Sequence, residues 1–286
     1  MVYHTILHHP KPSPRDAVLI ARVIPGELIP QNGFFIVEHK GPVDFEALAE
    51  LRRRLSFDIN VLPAGFFPQE IGLIVSDMDS TLITIECIDE LADCLGIKAE
   101  VAAITEAAMR GELDFAGALK ERVALLKGLS VESLQSVYDD RLRLSPGAET
   151  LLTAARQRGI RTAVVSCGFT FFTEKLKDFL GLDYALANEL EERDGQLTGR
   201  VAGAICGHKQ KRQFLLDMTT RLGLKPSQTI AIGDGANDLP MLAAAGLGVA
   251  YHAKPKVQAQ ADVVINHGGL ELIAHFLESV PVVQSA

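Results

Sequence analysis

The segment IGLIVSDMDST, residues 71–81, joins a short apolar strand directly to a pair of aspartates. An unbroken run of Ile, Leu and Val is typical of a parallel strand that helices cover on both faces. Open α/β sheets bind their ligands at the carboxyl ends of such strands. Residues two apart in an extended segment share a face, so the side chains of Asp77 and Asp79 are predicted to point at one reacting centre.

Three further apolar runs of this kind follow: RTAVVS at 161–166, TIAIG at 229–233 and ADVVI at 261–265. Helical patterns separate them, as in the stretches 171–180 and 209–222. Strands that alternate with helices in this way predict an α/β fold built on a doubly wound parallel sheet. The turn sequence DGQLTG within residues 188–201 adds a predicted β-hairpin.

Two other regions surround this predicted core. The interval between the first two core strands is too long for one crossover, and its helical pattern predicts an inserted helical cap at about 88–142. Residues 1–68 predict a small α+β module with a strand–helix–strand texture. It is built from the apolar runs AVLIARVI and GFFIVEH, the helix-like FEALAELRRRL and the short INVLP. The segment GFFPQE then leads into a main domain at 69–286.

Composition limits the classes of function. The chain has 286 residues, 48% of them hydrophobic, with a net charge of -8, which suits a globular protein and disfavours nucleic acid or an anionic membrane as partners. No export signal or membrane span is visible, and a C-x-x-C pair is absent from the sequence, so a cytoplasmic protein with reduced thiols is expected. Both a monomer and a homo-oligomer are compatible with this composition.

Two more motifs could share a site with the aspartate pair. Ser166 ends the RTAVVS strand, where its hydroxyl and nearby backbone N–H groups suit a phosphate, although such a serine is more often a cap. TIAIG runs into the acidic turn DGAND at 234–238, and Lys211 begins a helix from which it could reach a phosphate oxygen. The alternatives are that the DGAND turn is a plain loop and that Lys211 is a solvent-exposed helix residue without a role in a site. Converging carboxylates repel one another unless a divalent cation joins them, and magnesium is the expected one.

The ordered series DMDSTLI, VVSCGF, a lysine and GDGAND resembles the motifs of the haloacid dehalogenase superfamily from about Leu73 onward. Within it, ITIECIDELA, EAAMRGELDFAGAL and KERVALLKGL resemble the cap of the phosphoserine phosphatase family. The resemblance implies hydrolysis of O-phospho-L-serine to L-serine and phosphate, the last step of serine biosynthesis, through an aspartyl-phosphate. It also implies a Rossmann-like core and bound Mg²⁺.

Residue roles follow from the same resemblance. Asp77 would be the nucleophile, and Asp79 the acid and later the base. The magnesium ligands would be Asp77, the backbone carbonyl of Asp79, and Asp234. The remaining implied site residues are Ser166, the amide of Cys167 and Lys211 for the phosphoryl group, Asn237 near the substrate, Asp238 supporting Lys211, Glu86 for the ammonium, Arg122 for the carboxylate, and Phe115 and Met109 as pocket walls.

Cys167 departs from the family, which usually has a second glycine there. Neighbouring amides and Lys211 predict a lowered thiol pKa and a reactive cysteine, and a strained backbone if the turn needs positive φ. The N-terminal module resembles a shortened ACT-type regulatory domain, with a packing or oligomerisation role as the alternative. Phosphotransfer to another alcohol such as homoserine, or a non-catalytic phospho-ligand sensor, are the rival functions.

Overall fold

The computed structural model describes residues 2–110 and 112–278, which form two sheets with their helices. The first, four-stranded sheet is antiparallel, with strand order β2-β3-β1-β4. Together with its two helices it has the order βαββαβ of ferredoxin-like folds. Its elements are β1 Tyr3–Leu7, α1 Pro14–Val23, β2 Glu27–Pro30, β3 Phe35–His39, α2 Phe45–Arg54 and β4 Ile59–Val61.

The run AVLIARVI forms part of helix α1, which corrects the strand–helix–strand texture expected for this module. Ser13 caps the helix: its hydroxyl accepts a hydrogen bond from the Asp16 N–H, and the Asp16 carboxylate accepts one from the Ser13 N–H. Pro14 occupies the first turn, where a missing N–H does no harm. Strand β1 precedes this run, at residues for which no strand is predicted.

The second sheet has seven strands in the order β11-β10-β9-β5-β6-β7-β8, and only the pair β7–β8 is antiparallel among those described. It confirms the doubly wound α/β core and the predicted hairpin. Successive strands move outward from β5 in one direction and then from β9 in the other, so the order reverses between these two neighbours. The strands are β5 Leu73–Ser76, β6 Arg161–Phe169, β7 Tyr184–Arg193, β8 Gln196–Ala202, β9 Thr229–Gly233, β10 Leu247–Tyr251 and β11 Val263–Ile265.

Helices cover this sheet and build the cap. Between β5 and β6, the cap consists of α3 Cys87–Cys94, α4 Lys98–Met109, α5 Phe115–Leu125 and α6 Val131–Ser136, followed by a short π-helix at Val137–Arg141. None of the helices in the described residues has the length and hydropathy to cross a bilayer. The remaining helices are α7 Ala148–Gln157, α8 Thr170–Leu180, α9 His208–Arg221, α10 Leu239–Leu242, α11 Pro255–Gln258 and α12 Ile273–Leu277.

The two sheets meet edge to edge through polar side chains. The Asn60 side chain on β4 accepts a hydrogen bond from the Val264 N–H (2.8 Å) and donates one to its carbonyl (2.9 Å) on β11. The Asp58 carboxylate accepts three backbone N–H groups from residues 266–268 just after β11. Beside them, the rings of His8 and His275 stack, with their Nδ1 atoms 3.0 Å apart. The module is therefore docked by buried hydrogen bonds as well as apolar contacts.

Candidate active site

A cavity of about 770 Å³ opens at the carboxyl ends of β5, β6 and β9, beneath the cap helices α3, α4 and α5. This is the point where the strand order reverses, as expected for ligand sites in such sheets. Ser166, Lys211 and Asp238 are fully buried behind the wall. Met109 ends α4, but its side chain lies outside the described part of the structure. The other predicted residues all line the cavity: Asp77, Asp79, Glu86, Phe115, Arg122, Cys167, Asp234 and Asn237.

Lys211 bridges two carboxylates at the base of the cavity. Its Nζ lies 2.7 Å from Oδ2 of Asp77 and 2.7 Å from Oδ1 of Asp238. Burial opposes a positive charge there, but the carboxylates of Asp238 and Asp77 outweigh it and raise the pKa of Lys211 well above its usual range. The ammonium is therefore charged and fixed in place.

Asp77 and Asp234 supply oxygens that converge with those of Asp238 within 4.8 Å of one another. Burial, followed by the charge of Asp238, raises the pKa of Asp77 and of Asp234, and Lys211 opposes both shifts. A divalent cation fits this donor set, since it prefers oxygen ligands and stabilises ionised carboxylates. Asp238 is already engaged, because its Oδ1 contacts Lys211 and its Oδ2 accepts the Gly235 N–H. Asp77 is engaged in the same way, since its Oδ2 contacts Lys211 and its Oδ1 accepts the Met78 N–H, so the three carboxylates together form the candidate donor set for a cation.

Asp79 connects the core to the cap. Its Oδ1 accepts the N–H of Cys87 at the start of α3 (2.9 Å), and its Oδ2 accepts the Ser166 hydroxyl (3.0 Å). Burial raises the pKa of Asp79, and these hydrogen bonds partly oppose the shift. Gly168 permits this approach, because a Cβ there would lie 2.7 Å from Oδ2 of Asp79. Ser166 and Gly168 lie in the bulged end of β6, where the prediction had placed a turn.

The expectations for the thiol of Cys167 are wrong. Burial raises its pKa to about 12, which outweighs the opposing effect of Lys211. Its backbone is unstrained as well: among the described residues, the non-glycine positions with positive φ are Ser80, Asp194 and His252. A buried thiol loses more from leaving water than it gains from one ammonium that two carboxylates already neutralise.

The cap side of the cavity carries opposite charges. The Glu86 carboxylate accepts the Ser80 hydroxyl at 2.6 Å. Although Glu86 faces the open cavity, the protein packed around it and the charge of Asp79 raise its pKa to about 7. Arg122 donates from Nε to the Ala118 carbonyl. Burial lowers the pKa of Arg122, and the negative charges of Asp89 and Glu86 oppose this shift. An ammonium and a carboxylate on one ligand would be complementary to this pair.

Sequence reasoning missed several residues of the cavity wall. Asp89 and Thr105 lie beside Arg122, and Lys254 and Lys256 also line the cavity. Asp89 follows Glu86 by three positions, and this closeness in sequence to a predicted substrate-binding residue could have identified it. The two lysines follow β10, a strand that the sequence reading also missed, so no signal pointed to them.

Comparisons with known proteins identify the family to which the chain belongs. The model of the haloacid dehalogenase-like hydrolase family matches residues 74–243. A phosphoserine phosphatase from Polaromonas sp. strain JS666 is 54% identical over 225 residues, covering 77% of this chain and 95% of that protein. A crystal structure of a HAD family hydrolase from Salmonella enterica serovar Typhi has a TM-score of 0.88 at 35% identity, covering 97% of this chain and 99% of the other.

A substrate-bound phosphoserine phosphatase complex has a TM-score of 0.68 at 40% identity, covering 73% of this chain and 99% of the other. The matched region includes most of the strand that precedes Asp77, the cap and the strand that precedes Asp234. On this evidence, the chain belongs to the family of haloacid dehalogenase-like hydrolases.

Proposed function

We propose that this hydrolase converts O-phospho-L-serine and water into L-serine and phosphate. One observation carries the proposal: a single cavity has Asp77, backed by the buried ammonium of Lys211, at its base and Glu86 and Arg122 at its cap end. The base suits a phosphoryl group, and the cap end suits the ammonium and carboxylate of an amino acid. The names of the relatives, phosphoserine phosphatase, support the same substrate.

The proposed reaction has two steps. An oxygen of Asp77 attacks phosphorus and the bond to the serine oxygen breaks, while Asp79 gives that oxygen its proton. Asp79 then takes a proton from water, which attacks the aspartyl-phosphate and releases phosphate and the Asp77 carboxylate. The buried position of Asp79 supports the first role, because its raised pKa favours the protonated form.

The surrounding residues would position the phosphoryl group. Ser166, the backbone amide of Cys167 and Lys211 would contact its oxygens, and Asp238 would hold Lys211 in place through the 2.7 Å contact. Asn237, beside Cys167, would lie near the substrate, and Phe115 would form a wall of the pocket. Such fixed charges lower the barrier because they need no reorganisation during the reaction.

We infer that Mg²⁺ is the metal, held by Asp77, the Asp79 carbonyl and Asp234. When bound, it would neutralise charge on the phosphoryl oxygens and orient them toward Asp77. Excess EDTA should stop phosphate release reversibly, and Mg²⁺ should restore it. Ca²⁺ should restore it poorly, because its looser coordination misplaces the reacting groups. Full activity in excess EDTA would contradict a metal role for Asp77 and Asp234.

The central test is phosphate release from O-phospho-L-serine by Asp77→Asn. Loss of a covalent nucleophile should reduce kcat by on the order of 10⁴-fold. Asp178→Asn, a matched change at an exposed carboxylate on α8, should leave kcat unchanged. Near-parent turnover in Asp77→Asn would exclude the proposed mechanism. Added homoserine tests the rival phosphotransfer, which would yield a phosphorylated alcohol in place of free phosphate.

We also propose a cytoplasmic location, which four free thiols support. For residues 1–68, the ferredoxin-like topology supports the proposed likeness to ACT-type domains. A regulatory ligand and a homo-oligomer both stay predictions.

A further inference from the structure

Asn188 on β7 is 1% exposed and holds two segments that lead into the cavity. Its Nδ2 donates to the carbonyls of Cys167 (2.8 Å) and Cys206 (3.1 Å), and its Oδ1 accepts the Cys206 N–H (2.7 Å). Because one partner is an N–H and the others are carbonyls, only one orientation of the amide satisfies all three. Asn188 itself does not line the cavity.

The first segment is the bulged end of β6. The β6–β7 register shifts between Val165 and Phe169, so residues 166–168 lack regular strand pairing there. The peptide unit joining Cys167 to Gly168 is instead held at both ends. Asn188 binds its carbonyl, and the Ser166 hydroxyl oxygen accepts its N–H at 2.7 Å.

That peptide unit connects Asn188 to the proposed acid. A peptide is planar, so a rotation of the Cys167 carbonyl also moves the Gly168 N–H. The Ser166 hydroxyl that accepts this N–H in turn donates to Oδ2 of Asp79. A chain of three hydrogen bonds through one rigid plane therefore leads from Asn188 to Asp79.

The second segment is the start of α9. Cys206 precedes Gly207, whose carbonyl accepts the Lys211 N–H at 3.0 Å. Holding both backbone groups of Cys206 fixes where α9 begins, and with it the origin of the Lys211 side chain. The fully buried ammonium must reach both Asp77 and Asp238 at 2.7 Å, which leaves little tolerance for a shift of the helix.

We propose that Asn188 is a positioning residue for phosphoryl transfer. Through these two segments it fixes the positions of the Asp79 and Lys211 side chains relative to each other. The inference deepens the proposed function, since it concerns the same cavity. Asn188 acts through groups at the phosphoryl end, and none of its three side-chain hydrogen bonds goes to Glu86 or Arg122. Loss of Asn188 should therefore lower kcat for hydrolysis of O-phospho-L-serine and of a generic aryl phosphate to a similar extent.

The test is Asn188→Asp, which keeps the shape and replaces the donor by an acceptor. At neutral pH an ionised carboxylate would face two carbonyls, and kcat on both O-phospho-L-serine and 4-nitrophenyl phosphate should fall by about 10²-fold. As pH falls from about 8 to about 5.5, protonation gives the introduced carboxyl an O–H donor for one carbonyl. The ratio of variant to parent kcat should therefore rise, a recovery that a merely damaged fold would not show.

Two further variants make the outcome decisive. Asn60→Asp alters an equally buried amide outside the cavity, so it should lower the unfolding temperature and leave kcat unchanged. In Asn188→Ser, kcat should be reduced to a similar extent and should not recover at low pH. This variant replaces Asn188→Asp in the test if Asn188→Asp does not fold. Parent-like kcat in either folded Asn188 variant, or a ratio independent of pH in Asn188→Asp, would overturn the inference. If only the aryl phosphate is hydrolysed, the proposed substrate fails while the role of Asn188 is still tested.

Discussion

The thiol of Cys167 lies in the cavity wall, where burial raises its pKa to about 12. Since the thiolate is the reactive form, almost none of it is present at neutral pH. We expect iodoacetamide near neutral pH to alkylate the exposed Cys94 first, with phosphate release unchanged. Peptide mass spectrometry would identify the modified residue. Raising the pH should increase modification of Cys167, because the thiolate fraction grows as the pH approaches the pKa.

A Cys94→Ser variant provides the control. It should retain full activity and lose the fast alkylation. If Cys167 reacts at neutral pH as fast as Cys94 does in the parent, burial does not control its reactivity. The sequence could identify the position of Cys167 within its motif, but the sign of its pKa shift depends on packing and on the carboxylates that neutralise Lys211.

The cap helices α3 and α5 should control which phosphomonoester is used. Arg122→Ala on α5 should cost about 2–4 kcal/mol of transition-state binding to O-phospho-L-serine, because the substrate carboxylate loses a partly buried partner. Hydrolysis of 4-nitrophenyl phosphate should fall much less. Lys120→Ala, at an exposed position of the same helix, should leave both rates unchanged. Equal losses on the two substrates would instead indicate that Arg122 maintains the cap itself.

Glu86 should give this selectivity a pH dependence. Its pKa is raised to about 7, so a fall in pH below that value protonates it and removes its attraction for the substrate ammonium. We expect kcat/KM for O-phospho-L-serine, divided by that for 4-nitrophenyl phosphate, to decline from about pH 8 to about pH 6. Glu86→Gln should flatten the profile of this ratio. An unchanged profile in the variant would assign the titration to another group.

The secondary structure could be predicted where local pattern decides it. The buried runs of β5 and β9 end in the aspartates of the site, and the spacing of motifs indicated the cap. Strand β10 was missed because Gly248 interrupts its apolar pattern. That glycine reflects tertiary packing, since a Cβ there would lie 2.8 Å from the Leu242 carbonyl oxygen. Close approach of this kind leaves no local signal in the sequence.

The docking of the N-terminal module should weaken in acid. His8 is buried between the two parts of the chain, where burial and then the neighbouring His275 lower its pKa well below 6.5. The folded protein keeps the ring neutral, whereas an unfolded chain protonates it as the pH falls below 6.5. The full contribution of the neutral ring to the free energy of unfolding is therefore present above that pH. Below it, this free energy declines by up to about 1.4 kcal/mol per pH unit for each proton that the chain takes up on unfolding.

Thermal unfolding of the parent and of His8→Phe between about pH 7.5 and about pH 5 would measure this effect. The phenylalanine can still pack on His275 and Phe276 but cannot titrate, so its unfolding temperature should depend less on pH. His267→Gln, at an exposed histidine, should behave like the parent. Identical slopes in His8→Phe and the parent would contradict the role of His8.

The proline-containing segment GFFPQE predicts a boundary between two modules, but no feature of the sequence predicts the hydrogen bonds between their sheets. Asn60 and Val264 are 204 residues apart, and nothing in the short run INVLP shows that its asparagine pairs with a distant strand. Contacts of that separation depend on the whole topology.

The Asn60 contact also bears on colloidal behaviour. Val264 presents its outward N–H and carbonyl at the edge of the large sheet, and the Asn60 amide occupies both of them. A bare edge strand of this kind is a template to which another chain can add. The N-terminal module therefore shields the hydrolase sheet from intermolecular strand addition. A shortened chain that begins after residue 62 would uncover β11 and become prone to aggregate, even with every residue of the cavity intact.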